Sequence, residues 1–166
     1  MTDEEGNLDK FSISKGEIDH SFDKLHSEVI TTMARSSDSK YIFTADRLGF
    51  LKQIDVNKDE IKDYKQIVKS WIVSLAVTSD VLNQRLLVAY YNGNLVKIDI
   101  FEQKVAKNYG QVTGKGLSCM EITPCDNFLF VGSSETTEED AEESNEFIEE
   151  ESTAENKVME KEEQGY

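Results

Sequence analysis

This 166-residue chain has two cysteines, two histidines, one tryptophan and no surplus of basic residues, and each shortage closes off a class of protein. Cys119 and Cys125 are too few for a disulfide scaffold and read as reduced, half-buried small hydrophobes. His20 and His26 both lie near the N-terminus, and neither stands at metal-ligand spacing with a second ligand, so no metal or other cofactor is expected. A net charge of −15 opposes direct binding to nucleic acid or to an anionic membrane surface. The densest apolar stretch, Trp71 to Val77, is far too short to cross a bilayer. Met1-Thr2-Asp3-Glu4-Glu5 lacks the positive and apolar regions of a secretory signal, and no Asn-x-Ser/Thr sequon occurs, which predicts a soluble cytoplasmic protein.

The negative charge is not evenly spread. Of the 33 acidic residues, 14 lie in Ser133 to Tyr166, together with only 2 of the 18 basic ones. The chain therefore divides into a nearly balanced body, residues 1–132, and an acidic tail, residues 133–166. The tail is poor in apolar residues and rich in like charge, so it cannot bury enough surface to offset its chain entropy and is expected to be disordered.

What the body does contain is a block that returns at a fixed interval: Gly6-Asn7-Leu8-Asp9-Lys10-Phe11, Gly49-Phe50-Leu51-Lys52-Gln53-Ile54 and Gly93-Asn94-Leu95-Val96-Lys97-Ile98. Phe22, Tyr64 and Tyr109 keep the same rhythm, as do Ile30, Ile72 and Leu117. A period of about 40 to 45 residues marks a repeat architecture in which one supersecondary unit is copied and stacked. Within a period the pattern is four short strands. Tyr41 to Ala45 and Arg85 to Tyr90 are apolar on both faces, as strands covered on both sides are, and Asn92-Gly93 between apolar runs signals a hairpin. Tyr41, Phe43, Leu86, Leu87, Phe128 and Phe130 are assigned to the core. The ends are half repeats: Leu8 to Phe22 matches third and fourth strands, and Leu117 to Val131 matches first and second strands.

This pattern resembles the WD40-repeat (WD-repeat) β-propeller family, whose blades are four-stranded antiparallel sheets. The resemblance covers roughly Gly6 to Gly132 and implies an all-β chain of about three blade equivalents, an incomplete ring. The Trp-Asp pair that names the family falls on Ile54-Asp55 and Ile98-Asp99, and the family's histidine before the first strand matches His26, with Val68 and Thr113 in later repeats. The aspartate between second and third strands falls on Leu48 and Asn92. The hydrogen-bonded tetrad of typical blades is accordingly expected to be absent, leaving the blades to hydrophobic packing.

Chemical motifs are thin. Gly110-Gln111-Val112-Thr113-Gly114-Lys115-Gly116 departs from a phosphate loop in spacing, lacks the magnesium-binding hydroxyl and precedes a strand. Asp55 to Glu60 is spaced for a turn and lacks the glycine of a calcium loop. No catalytic residues emerge. For partner binding the candidates are Trp71, Arg47, Tyr91 and Lys115, all in loops that the resemblance places at a partner-binding ring face, and exposed Trp and Arg are enriched in binding hot spots. Trp71 has a second role open to it, capping the edge of a blade core. The reading that follows is a non-catalytic interaction module or scaffold for a protein partner, with self-association to complete a ring. Two alternatives stand beside it: a divergent propeller enzyme or small-molecule binder with its site on the inner strands (Ile30, Thr31, Met33, Val73, Leu75, Ser118, Cys119 and Glu121), and a fragment of a longer array.

Overall fold

The computed structural model describes residues 6–114 and 116–134; the acidic tail lies outside the described residues, and so does Lys115. Among the described residues twelve strands follow one another. They are β1 (Leu8–Ser12), β2 (Glu17–Phe22), β3 (Ile30–Arg35), β4 (Tyr41–Asp46), β5 (Leu51–Asp55), β6 (Ile61–Asp63), β7 (Ile72–Val77), β8 (Arg85–Tyr90), β9 (Asn94–Asp99), β10 (Lys104–Gln111), β11 (Gly116–Ile122) and β12 (Leu129–Ser134). They form four antiparallel sheets in chain order: β1-β2, β3-β4-β5-β6, β7-β8-β9-β10 and β11-β12. Half a blade, two whole blades and half a blade are thus what the repeats predict.

The recurring glycine is needed for its backbone. Gly6, Gly49 and Gly93 all have positive φ, 74°, 90° and 87°, a region that costs a glycine little. A Cβ on Gly6 would stand 2.3 Å from the His26 carbonyl oxygen, and one on Gly49 would stand 2.5 Å from that of Val68. The turn into each third strand therefore presses its backbone against the segment leading into the next blade. The Gly6 carbonyl accepts the His26 N–H at 3.1 Å and the Gly93 carbonyl accepts the Val112 N–H at 3.0 Å. Val112, rather than Thr113, is thus the counterpart of His26 in the last repeat.

The aspartate retained from the Trp-Asp pair closes the turn after each third strand. Asp55 Oδ1 accepts the N–H groups of Asn57 and Lys58 at 2.9 and 3.0 Å. Asp99 Oδ1 accepts those of Phe101 and Glu102 at the same two distances. A short acid that bonds the backbone two and three residues on is a turn-former wherever it falls.

Each first strand carries the same bulge, between Ile30 and Thr32, Ile72 and Ser74, and Leu117 and Cys119. These first strands lie side by side, β3 against β7 and β7 against β11, which is how propeller blades meet at their inner edge. Three apolar clusters join the sheets in sequence. Leu8, Phe22, Leu25, Ile30 and Ile54 join the first sheet to the second. Phe43, Tyr64, Ile72, Leu86, Tyr90 and Ile98 anchor the second to the third. Ala76, Leu87, Ala89, Leu95, Leu117 and Met120 join the third to the last.

Two core assignments fail at the open end. Phe43 and Leu86 are fully buried and Leu87 nearly so, but Phe128 and Phe130 are 68% and 69% exposed. Phe130 lies in β12 and Phe128 just before it; the strand is apolar on both faces like its counterparts, yet no further blade covers it among the described residues. Cys119 and Cys125 are exposed free thiols rather than half-buried ones, for the same reason: they sit in that terminal half blade. His20 lies within β2, exposed, with its ring 4.5 Å from that of Phe22.

Candidate partner-binding site

The starts of β3, β7 and β11 pair with the ends of β4, β8 and β12, so the loops entering first strands and those leaving second strands gather at one end of the sheets. Arg47 follows β4, Trp71 precedes β7 and Tyr91 follows β8. Strands from two different blades thus bring together three of the four sequence candidates. The Trp71 carbonyl accepts the Tyr91 N–H at 2.8 Å, fixing the two backbones. Their rings lie 5.1 Å apart at an interplanar angle of 34°. The Arg47 guanidinium carbon stands 4.3 Å from the Trp71 ring centroid, within cation–π range.

The indole is held between a cation and a ring while 37% of the residue stays exposed. Trp71 therefore caps the junction between blades while one edge of the residue stays open to solvent. Leu48 and Phe50, 37% and 40% exposed, extend the apolar surface beside Arg47. Next to them opens a cleft of about 840 Å³ lined in part by Lys24, Phe50, Lys52 and Asp63, with Lys52 Nζ 2.8 Å from Asp63.

Below this surface lies a polar network that the sequence reading missed. His26 Nδ1 is 2.8 Å from Asp46 Oδ2, and Nε2 is 2.9 Å from Thr44 Oγ1, with all three residues buried. A carboxylate only accepts, so Nδ1 carries the hydrogen on the Asp46 side. Asp46 Oδ1 accepts the Leu48 and Phe50 N–H groups at 3.0 and 2.9 Å, which sets the loop that carries Arg47. The expected absence of a tetrad-like network is corrected for this blade. The acid stands at the end of β4, two residues before Leu48, where sequence alignment placed it. In the next blade Tyr90 takes the place of Asp46, and its hydroxyl hydrogen-bonds to the backbone of Val68, the counterpart of His26.

The inner strands offer no converging polar set. The Thr31 hydroxyl donates to the Ala45 carbonyl at 3.2 Å and also to that of Ile72, while the Ser74 hydroxyl meets the Met120 backbone. These hydroxyls bind neighbouring strands together. Among the described residues no cluster of His, Cys, Asp and Glu is suited to hold a metal ion, and no helix is long and apolar enough to cross a membrane.

The fold is that of WD40-repeat β-propeller blades. The chain is similar to the solved structure of U3-55K, with a TM-score of 0.66 at 15% identity over 72% of this chain and 37% of that one. It is equally similar to the RRP9 WD40 repeats, with the same TM-score and identity over 72% of this chain and 36% of that one. The chain thus spans little more than a third of the solved structures it matches. No protein-family model matches the sequence, and no curated protein does.

Proposed function

We propose that this chain is a non-catalytic interaction module that binds a protein partner through the loop end bearing Arg47, Trp71 and Tyr91. The observation that carries the reading is the stack itself. An exposed tryptophan immobilised by Arg47 and Tyr91 loses little side-chain entropy on binding, and rigid aromatic anchors beside Arg are the residues that dominate interfaces. WD40-like blades serve protein interaction in general, a support that rests on fold alone. The net charge of −15 favours a protein over nucleic acid as the partner. Two free, exposed thiols fit a reducing compartment such as the cytoplasm. Lys115, the fourth candidate, lies outside the described residues.

The test is quantitative cross-linking of the tagged chain in cells, comparing the parent with Arg47→Glu and Trp71→Ala. Arg47→Glu should keep the parent's unfolding free energy to within about 1 kcal/mol, as changes at exposed positions do, while Trp71→Ala also loses packing at the blade junction; with both variants shown to be folded by circular dichroism, both should lose the same set of cross-linked proteins. Equal capture by parent and variants would overturn the reading.

A further inference from the structure

The two terminal sheets are halves of one blade. Among the described residues β1 and β2 are third and fourth strands without a second, β11 and β12 are first and second strands without a third, and the two sheets share no hydrogen-bonded pairing. We propose that β12 of one copy pairs with β1 of a second copy, that the reverse contact forms as well, and that the product is a closed ring of two chains. An unpaired edge strand is a template for another strand, and two copies of half, two and half blades give six, within the range of closed propellers, whereas one chain would have to close on three.

The two complete blades supply the register. In them the second and third strands pair as Tyr41↔Asp55, Phe43↔Gln53 and Ala45↔Leu51, and as Arg85↔Asp99, Leu87↔Lys97 and Ala89↔Leu95. The shared first-strand bulge aligns Gly132 with Ala45 and Ala89, and the recurring glycine aligns Leu8 with Leu51 and Leu95. The composite blade therefore pairs Gly132↔Leu8, Val131↔Asp9, Phe130↔Lys10, Leu129↔Phe11 and Phe128↔Ser12.

That register accounts for apolar surface that one chain leaves bare. Phe130 stands where Phe43 and Leu87 stand, 0% and 6% exposed against the next blade, yet it is itself 69% exposed. In the ring it faces the second copy's cluster around Ile30 and Ile54. Phe11 occupies the place of Ile54 and Ile98, 4% and 1% exposed, yet it is 55% exposed; in the ring it is covered by the third sheet of the first copy. A single contact thus buries both phenylalanines, with Phe128 alongside, and closes both free edges.

The experiment combines mass with register. Light scattering on the full chain should return twice the chain mass over a wide range of concentration, and Phe130→Lys should return the single mass with its β circular dichroism intact. In a background of Cys119→Ser and Cys125→Ser, Val131→Cys with Asp9→Cys should oxidise to a covalent two-chain species, because directly opposed strand residues lie within disulfide reach. Val131→Cys with Phe11→Cys, a diagonal pair about 7–8 Å apart, should not. The single mass at every concentration, an undiminished dimer in Phe130→Lys, or a Val131–Asp9 disulfide closed within one chain would each overturn the proposal. The outcome is independent of the partner-binding reading, which concerns the loop end and is scored by different variants.

Discussion

The two complete blades share the lengths of their first and second strands, the first-strand bulge, the turn caps and the register between second and third strands, yet they fill one position with opposite chemistry. In the first, His26, Asp46 and Thr44 form a buried polar network. In the second, Val68, Tyr90 and Val88 occupy the corresponding places, and a single phenol meets the backbone. The backbone of a blade thus does not require the polar network. What both solutions achieve is to tie the segment entering the blade to the end of its second strand, the region from which Arg47 and Tyr91 reach Trp71.

The comparison breaks most sharply at Asp46. Removing one member of a buried hydrogen-bonded group costs about 1–3 kcal/mol for each buried partner left unsatisfied, and Asp46 holds the Leu48 and Phe50 amides as well as the His26 ring. Asp46→Ala is expected to lose that much stability in urea unfolding. The triple change His26→Val, Thr44→Val and Asp46→Tyr, which copies the second blade, should lose less than the single change, since it leaves no His26 or Thr44 side chain unpaired and strands only the Leu48 and Phe50 amides, which the single change strands as well. A triple variant less stable than Asp46→Ala would show that the blades are not interchangeable at this position.

How much of this was legible depends on whether a residue's role is local. The recurring Gly6, Gly49 and Gly93 answer to backbone geometry within a few residues, and Asp55 and Asp99 bond to the turns they begin, so periodicity found both. Strand limits followed from apolar alternation and turn residues, and β8 matches the expected span Arg85 to Tyr90. Asp46 was missed because alignment by spacing favoured the turn, although an acid ending the otherwise uncharged run Tyr41 to Ala45 was the available signal. Phe128 and Phe130 were misplaced because apolar residues on both faces predict burial only where a neighbouring blade exists. The candidates Arg47, Trp71 and Tyr91 were each legible as loop residues in related places. Their stacking was not, since it depends on the separation of two blades, which no local pattern encodes.

A smaller effect separates the phenols. Burial pushes Tyr64 up to about 12 from an ordinary 10.0, and burial pushes Tyr90 up as well. Below pH 10 each phenol is neutral whether the chain is folded or unfolded, and its contribution to stability is complete. As pH climbs from 10 towards 12, the unfolded chain releases protons that the folded chain keeps, so stability falls and is lost through the folded value. Unfolding midpoints should therefore drop over that window, and the drop should shrink in Tyr90→Phe, which at neutral pH costs only about 1 kcal/mol for the lost hydroxyl bond. Tyr64→Phe should shrink it too, but at a further cost because Gln53 Oε1, which accepts the Tyr64 hydroxyl at 2.8 Å, is left without it. An unchanged alkaline slope in both variants would mean that these phenols titrate freely.

The smallest expected difference lies where the blades agree. Asp55 and Asp99 cap matching turns through the same pair of backbone bonds, but Asp99 also meets Arg85, with Nη1 2.9 Å from Oδ2. Both acids are partly exposed at the end of the sheets opposite Arg47, Trp71 and Tyr91, where solvent weakens an ion pair to about 0–1 kcal/mol. Losing the turn cap should dominate, at about 1 kcal/mol by analogy with helix caps that bond the backbone in the same way. Asp55→Ala and Asp99→Ala are therefore expected to be nearly equal, with Asp99→Ala the costlier by no more than the ion pair. A double-mutant cycle of Arg85→Ala with Asp99→Ala isolates that increment, because each single change removes the pair and only the aspartate change removes the cap. A coupling energy as large as the cap itself would mean that Asp99 is kept for Arg85, and that the two blades retain the same residue for different reasons.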